Sequence, residues 1–364
     1  MNKLFKNIYH NRRVFITGHT GFKGSWLAFW LRKMGAEVFG YSLEPPSDPN
    51  HASLLDLDIQ SMIADIRDRD VLYGAIKDFQ PEIVFHLAAQ PLVRYSYQYP
   101  VDTFETNVMG CVFLFDVCRQ VNSVRAIINV TSDKCYENKE RMEGYREDDP
   151  MGGHDPYSCS KGCAELVTTA YRRSFFPIEE FGHSHHVLVA SCRAGNVIGG
   201  GDWAQDRLIP DIIRAVACRE CVRIRHPQAI RPWQHVLEPL SGYLLLGQRL
   251  LEGKKEFSQA WNFGPGKGDV RCVEDVVKGM SFQWDRVSYH FDEGEHLHEA
   301  KVLQLNCDKV NTIMNWSEVW DVDEAIRRTA IWYKKFYEEK AVVTENDISD
   351  YVNHARNKGI VWAV

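Results

Sequence analysis

The chain has 364 residues, with 43 Lys and Arg against 49 Asp and Glu and a net charge of −6, which excludes the basic surface expected of a nucleic-acid binder. Hydrophobic residues at 45% and charged residues at 25% describe a folded chain, and no stretch approaches the ~18 consecutive apolar residues of a membrane helix. The opening stretch MNKLFKNIYHNRRVF has no apolar core ahead of a cleavage site, and the ten cysteines are scattered, so a cytoplasmic protein without a disulfide framework is expected.

In chain order, Val14–Thr17 predicts a strand. Gly24–Met34 predicts a helix with Leu27, Trp30, Leu31 and Met34 on one face. Short apolar runs at Glu37–Tyr41 and Met62–Asp65 follow. Ile83–Ala89 and Ala126–Ser132 are nearly continuous apolar runs, as strands buried on both faces should be. Val101–Val121 between them is long enough for a substantial helix, Ser158–Phe175 predicts another, and Val187–Cys192 a further strand. The alternation implies an α/β fold with right-handed crossovers and a doubly wound parallel sheet. Beyond Arg193, glycines and prolines multiply and aromatic residues cluster, which predicts a smaller α+β lobe over the carboxyl end of the sheet, where such folds bind ligands. The expected division is a nucleotide-binding domain over 1–192 with about 231–264, a substrate lobe over 193–230 and 265–340, and a peripheral tail over 341–364.

Gly18-His19-Thr20-Gly21-Phe22-Lys23-Gly24 follows the first strand and opens the first helix, the context of a Rossmann-type dinucleotide site. Gly18 makes the turn, Gly21 admits a pyrophosphate to the backbone, and Gly24 packs helix on strand. Met34 to Ile66 contains no Lys or Arg for a 2′-phosphate, which favours NAD over NADP. Tyr41-Ser42-Leu43 nevertheless stands where an acidic residue would hold the ribose, with Ser42 or Glu44 as substitutes and His19 and Lys23 within reach of a phosphate. Asp65 fits an adenine edge and a helix cap equally well. Cys218 and Cys221 lack the partners of a zinc tetrad, and His183, His185 and His186 lie in a polar loop, so no metal is expected.

Tyr157 and Lys161, at i and i+4, share a helical face. The ammonium favours the phenolate, which makes Tyr157 a general base for a hydroxyl proton as hydride leaves the same carbon. Ser132, at a strand end about 25 residues earlier, supplies a hydroxyl for the reacting oxygen.

The glycine loop, Ser132, Tyr157 and Lys161 in that order resemble the extended short-chain dehydrogenase/reductase superfamily over roughly residues 10 to 335. The resemblance implies cofactor contacts at Gly18, Gly21, Phe22, Gly24, Asp65, Ile66, Leu87, Ala88, Ala89, Tyr157 and Lys161, with Asn107 as a structural helix residue. Thr131-Ser132-Asp133-Lys134 resembles the hexose 4,6-dehydratase segment. It implies that Asp133 protonates the leaving 6-hydroxyl, while Lys134 replaces the glutamate expected to take the C5 proton. A surface position for Lys134 is the alternative. Arg193–Trp203, Asp206–Pro210, Ile230–Val236 and Trp261–Pro265 look like dehydratases acting on CDP-linked hexoses. They imply CDP-glucose as substrate, met by Gln90, Asn196, Val197, Arg207, Leu208, Arg231 and His298, with the arginines on the diphosphate. A 4-epimerase, a dehydratase for another nucleotide and a non-catalytic dinucleotide sensor are the alternatives. The resemblance further implies a homodimer through a four-helix bundle of the helices near 101–121 and 158–175, or a tetramer.

Overall fold

The computed structural model describes residues 3–266, 269–292 and 302–364. Strand β1 (Arg13–Thr17) leads through α1 (Phe22–Lys33) to β2 (Glu37–Ser42), the short α2 (His51–Leu55), β3 (Gln60–Ile63), α3 (Arg69–Phe79) and β4 (Ile83–His86). Then come α4 (Val93–Gln98), α5 (Pro100–Phe104), a π-helical turn over Glu105–Met109, α6 (Gly110–Cys118), β5 (Ala126–Val130), α7 (Pro156–Ser174) and β6 (Leu188–Ala194). Short strands β7 (Val197–Ile198), β8 (Val222–Ile224), β9 (Ile230–Arg231) and β10 (Gln234–His235) occupy the lobe, with α8 (Leu208–Cys218) among them. The chain then returns through α9 (Leu237–Leu251) to β11 (Ala260–Phe263). Strand β12 (Arg271–Cys272), α10 (Val273–Gln283), β13 (Tyr289–Phe291), α11 (Val322–Glu339) and α12 (Thr344–Asn357) complete it.

Seven parallel strands form one sheet in the order β11-β6-β5-β4-β1-β2-β3. The order reverses between β1 and β4, where Val14 pairs with both Val38 and Ile83. Strands β4, β5 and β6 are buried throughout, which is why they appear in the sequence as continuous apolar runs. One core layer packs α1 and α9 on the sheet, and the other packs α3, α6 and α7 on its opposite face. Every residue of α9 but Arg249 is buried. Its Gly242 and Gly247 allow that, since a Cβ would come within 2.2 Å of Phe263 and 2.3 Å of the Tyr9 hydroxyl.

Three expectations change. Strand β3 begins two residues before the predicted run and ends at Ile63, because the chain turns at Asp65 to meet Arg67. The helix expected over 101–121 is broken by the π turn, which aims Asn107 at the loop after β4. Its amide donates to Gln90 O (3.0 Å) and Ser160 Oγ (2.8 Å), while Oδ1 accepts from Gln90 N (2.8 Å). The tail is not peripheral. Helix α12 buries Ile348, Tyr351 and Val352, and fully buried Trp362 stacks on Phe5 (5.1 Å) and Tyr351 (5.7 Å). Its large apolar rings tie both ends of the chain to α1.

Candidate active site

At the carboxyl ends of the strands the loops enclose a cavity of about 1470 Å³. Gly18 has φ +78°, and a Cβ there would meet Ala88 N at 2.8 Å; one on Gly24 would strike Gly18 O at 2.0 Å. These two glycines close the turn onto β4 and the helix onto the turn. Gly21 differs: a Cβ would meet only Gly18 O, at 3.4 Å, and the residue borders the cavity. Thr17 Oγ1 accepts from Leu87 N and Ala88 N at 3.1 Å each, which fixes the opposite wall. Helix α1 has no side-chain cap, so its first N–H groups are left for an anion. Phe22, Asp65, Ile66 and Ala89 border the same space. This cradle fits a dinucleotide.

The far end of the cradle is arranged less simply than the sequence suggested. Ser42 Oγ lies 2.7 Å from Thr20 Oγ1, which also donates to Leu43 O (2.9 Å), so the position normally acidic is a hydroxyl pair beside Glu44. Asp65 is not the helix cap, a role taken by Asp68 on Val71 N (3.1 Å). Its carboxylate instead holds Arg67 through the backbone N (2.9 Å) and the guanidinium (2.6 Å), and these bonds keep its pKa low. His19 does not line the cavity: its Nε2 lies 2.8 Å from Ser61 Oγ, and burial pushes its pKa down to about 4. Lys23 lines the cavity instead. Burial and Arg207 push its ammonium down to about 8, Asp133 opposes them, and Lys161 adds a further downward push.

The catalytic candidates meet on the cavity floor. Asp155 caps α7, accepting from Ser158 N (2.9 Å) with Pro156 in the first turn, and so aims Tyr157 and Lys161 inward. Ser132 caps the turn Asp133–Cys135 and donates to Asp133 Oδ1 (2.9 Å). Burial pushes Tyr157 up to about 12 against the Ser132 hydrogen bond and the Arg207 charge, so the lowering expected from Lys161 is not seen. Lys161, reaching toward Val130 O at 3.5 Å, is pushed down to about 8 by burial. Asp133 is 3% exposed and, among the described residues, its Oδ2 has no hydrogen-bond partner. Burial raises its pKa, with Lys134, Ser132, Lys23 and Arg231 opposing, which favours the protonated acid. Lys134 is not a surface residue: it lines the cavity, with Nζ 6.0 Å from the Tyr157 ring centroid.

Of the expected substrate contacts, Asn196, Val197, Arg207, Leu208 and Arg231 line the cavity. Arg207 is held by Asp202 (3.0 Å), a partner the sequence did not reveal. Gln90 is a correction. Its side chain turns away to donate to Leu92 O (3.1 Å) and Thr103 Oγ1 (2.8 Å), because the loop after β4 needs those bonds. His298 lies outside the described residues. Cys221 is exposed beside His290 (3.4 Å), and among the described residues no three His, Cys, Asp or Glu side chains are grouped to hold a metal.

Comparison with known proteins agrees with this geometry. The family model described as GDP-mannose 4,6 dehydratase matches residues 15–329. The CDP-glucose 4,6-dehydratase of Salmonella typhimurium is 51% identical over 353 residues, 96% of this chain and 98% of that protein. Among solved structures, an epimerase from Methanothermobacter thermautotrophicus superposes with a TM-score of 0.79 at 21% identity, over 92% of this chain and 96% of that one. The dTDP-glucose 4,6-dehydratase of Streptomyces venezuelae, solved with NAD and TYD bound, gives 0.73 at 21% identity, over 89% and 97%.

Proposed function

Because the chain belongs to the GDP-mannose 4,6-dehydratase family, we propose that it is an NAD-dependent enzyme converting CDP-D-glucose to CDP-4-keto-6-deoxy-D-glucose and water. Asp133 carries this reading: a buried carboxyl with one unpartnered oxygen, next to Ser132, is suited to elimination and has no use in epimerisation or in sensing a dinucleotide. Gly18, Gly21, Phe22 and Gly24 would hold NAD, which would supply the hydride acceptor for C4 of the hexose and the donor for C6. Tyr157 accepts the 4-hydroxyl proton, Ser132 holds that oxygen, and the Lys161 ammonium stabilises the phenolate. The resulting ketone acidifies C5. Asp133 gives its proton to the departing 6-hydroxyl, which leaves as water, and Lys134 holds the sequence position of the glutamate expected to take the C5 proton. Arg207 and Arg231 bind the diphosphate. Ser42 and Glu44 would hold the 2′-hydroxyl of the cofactor's adenosine ribose.

The exposed Val101 (67%), Met109 (41%) and Leu166 (60%) on α5, the π turn and α7 support a homodimer built on these helices, or a tetramer of two such pairs. All ten cysteines are free, which fits a reducing compartment such as the cytoplasm. Among the described residues no helix is long and apolar enough to cross a membrane.

The test is a panel of CDP-, dTDP-, UDP- and GDP-linked hexoses with purified protein and NAD, followed by the alkaline absorbance of a 4-keto-6-deoxy product. A signal with CDP-glucose alone is expected. A 4-epimer as product, or silence with every sugar, overturns the reading.

A further inference from the structure

Directly beneath the catalytic groups lies a buried polar layer that the reaction does not itself use. Glu165 sits one turn beyond Lys161 on α7 and is 2% exposed. Its carboxylate accepts from Thr131 Oγ1 (2.5 Å), Ser191 Oγ (2.7 Å) and Arg193 Nη2 (2.9 Å). Arg193, 4% exposed, continues the layer by donating to Tyr136 Oη (2.6 Å) and Glu147 O (2.9 Å), with its guanidinium 4.9 Å from the Tyr136 ring centroid. Tyr136 in turn donates to Asn262 Oδ1 (2.7 Å) on β11.

The placement of these bonds matters more than their number. Thr131 immediately precedes Ser132 and Asp133, and Tyr136 immediately follows the turn Asp133–Cys135. Both ends of that turn are therefore anchored on one ion pair, and the negative member of the pair belongs to the helix carrying Tyr157 and Lys161. A fold needing only volume here would be served as well by an apolar pair, since buried ion pairs add little net stability. What the pair supplies is a fixed geometry between two segments whose side chains must converge on C4 and C6 of one hexose.

We propose that Glu165 and Arg193 are positioning residues of the reaction, setting the turn with Ser132 and Asp133 against the helix with Tyr157 and Lys161. The proposal rests on the catalytic roles assigned above. Sequence alone offers one signal for it, a second charged residue four positions after Lys161 on the same helical face.

Thr131→Val tests it, because that change cuts the tie to the turn and leaves the Glu165–Arg193 pair in place. Turnover of CDP-glucose by the NAD-loaded enzyme should fall roughly tenfold to a hundredfold. KM and the affinity for NAD in a fluorescence titration should stay at the wild-type values, the melting temperature should fall by only a few degrees, and Thr131→Ser should restore turnover. Tyr136→Phe cuts the other anchor and should give the same kcat-selective loss, which keeps the test decisive if one variant fails to fold. Wild-type kcat in both variants overturns the proposal, as does a loss that follows the melting temperature or that Thr131→Ser does not restore. Tyr157→Phe separates the two layers of argument. If it still turns over, the catalytic reading fails; if it is inactive while Thr131→Val is normal, only the positioning fails.

Discussion

Two glutamates, both almost fully buried, show how differently two regions of this molecule use the same side chain. Glu165, under the active site, meets the guanidinium of Arg193. Burial pushes its pKa up, but the Arg193 charge and the bonds from Arg193, Thr131 and Ser191 outweigh that and hold it below the ordinary 4.5. Glu238, in the first turn of α9, accepts from Val319 N (3.0 Å), Trp320 N (2.8 Å) and the Tyr351 hydroxyl (2.8 Å). None of these partners is a cation, and burial pushes Glu238 up to about 8. The active-site floor thus keeps a permanent charge with fixed directions. The C-terminal clamp keeps an acid whose charge depends on pH. Burial does not decide ionisation; the partner does.

The largest effect expected from breaking this contrast is at the floor. Glu165→Gln strands Arg193 as a buried, uncompensated cation, so it should cost about 3–5 kcal/mol in denaturant unfolding. A stability within about 0.5 kcal/mol of wild type, the range of an ordinary surface substitution, would show that Arg193 finds another partner. Trp362→Ala attacks the clamp instead. Removing a fully buried indole should cost about 3–5 kcal/mol while leaving the turnover of the folded enzyme unchanged. A selective loss of kcat would show that the clamp reaches the site. The third effect is smaller and has a sign. Glu238 titrates near 4.5 when unfolded and near 8 when folded, so folding takes up a proton between those values. The stabilisation this gives is complete below pH 4.5 and fades as pH rises to about 8. Asp347, in the same clamp and pushed up to about 7 by burial despite Arg328, adds a slope of the same sign. The stability of Glu238→Gln should therefore fall less between pH 5 and pH 8 than that of the wild type, measured by urea unfolding at each pH. Parallel profiles would mean that Glu238 is ionised throughout. The smallest effect is Tyr351→Phe, which removes one hydrogen bond to Glu238 and should cost about 1 kcal/mol.

Much of the site was visible in the chain because its parts are local. The glycine turn, the Tyr157–Lys161 spacing and the strand end at Ser132 each occupy a few consecutive residues, and Gly18, Gly21, Gly24, Ser132, Tyr157 and Lys161 all border the cavity. Gln90 misled because a polar residue after β4 can face the ligand or its own loop, and the bonds of its side chain to Leu92 O and to Thr103 Oγ1, 13 residues away, decide which. Lys23 and His19 are neighbours in a short loop yet face opposite ways, His19 toward Ser61 on β3 and Lys23 toward Asp133. The tail misled for a compositional reason. Its polar residues are those of an amphipathic helix, and only the packing of its Tyr351 and Trp362 against Phe5 and Trp30 shows that its other face is core.

By itself, the sequence determined the alternation of strands and helices, the parallel sheet and the cradle at its switch point, since hydrophobic period and glycine spacing are local properties of a chain. It also determined the order in the chain of Ser132, Tyr157 and Lys161, which border one cavity. The tertiary structure alone decided which charges survive burial. Glu165 and Arg193 are 28 residues apart, and Glu238 and Tyr351 are 113 apart. The free energy of a buried charge depends on which atoms lie within a few ångströms of it, and only the folded chain brings those atoms together.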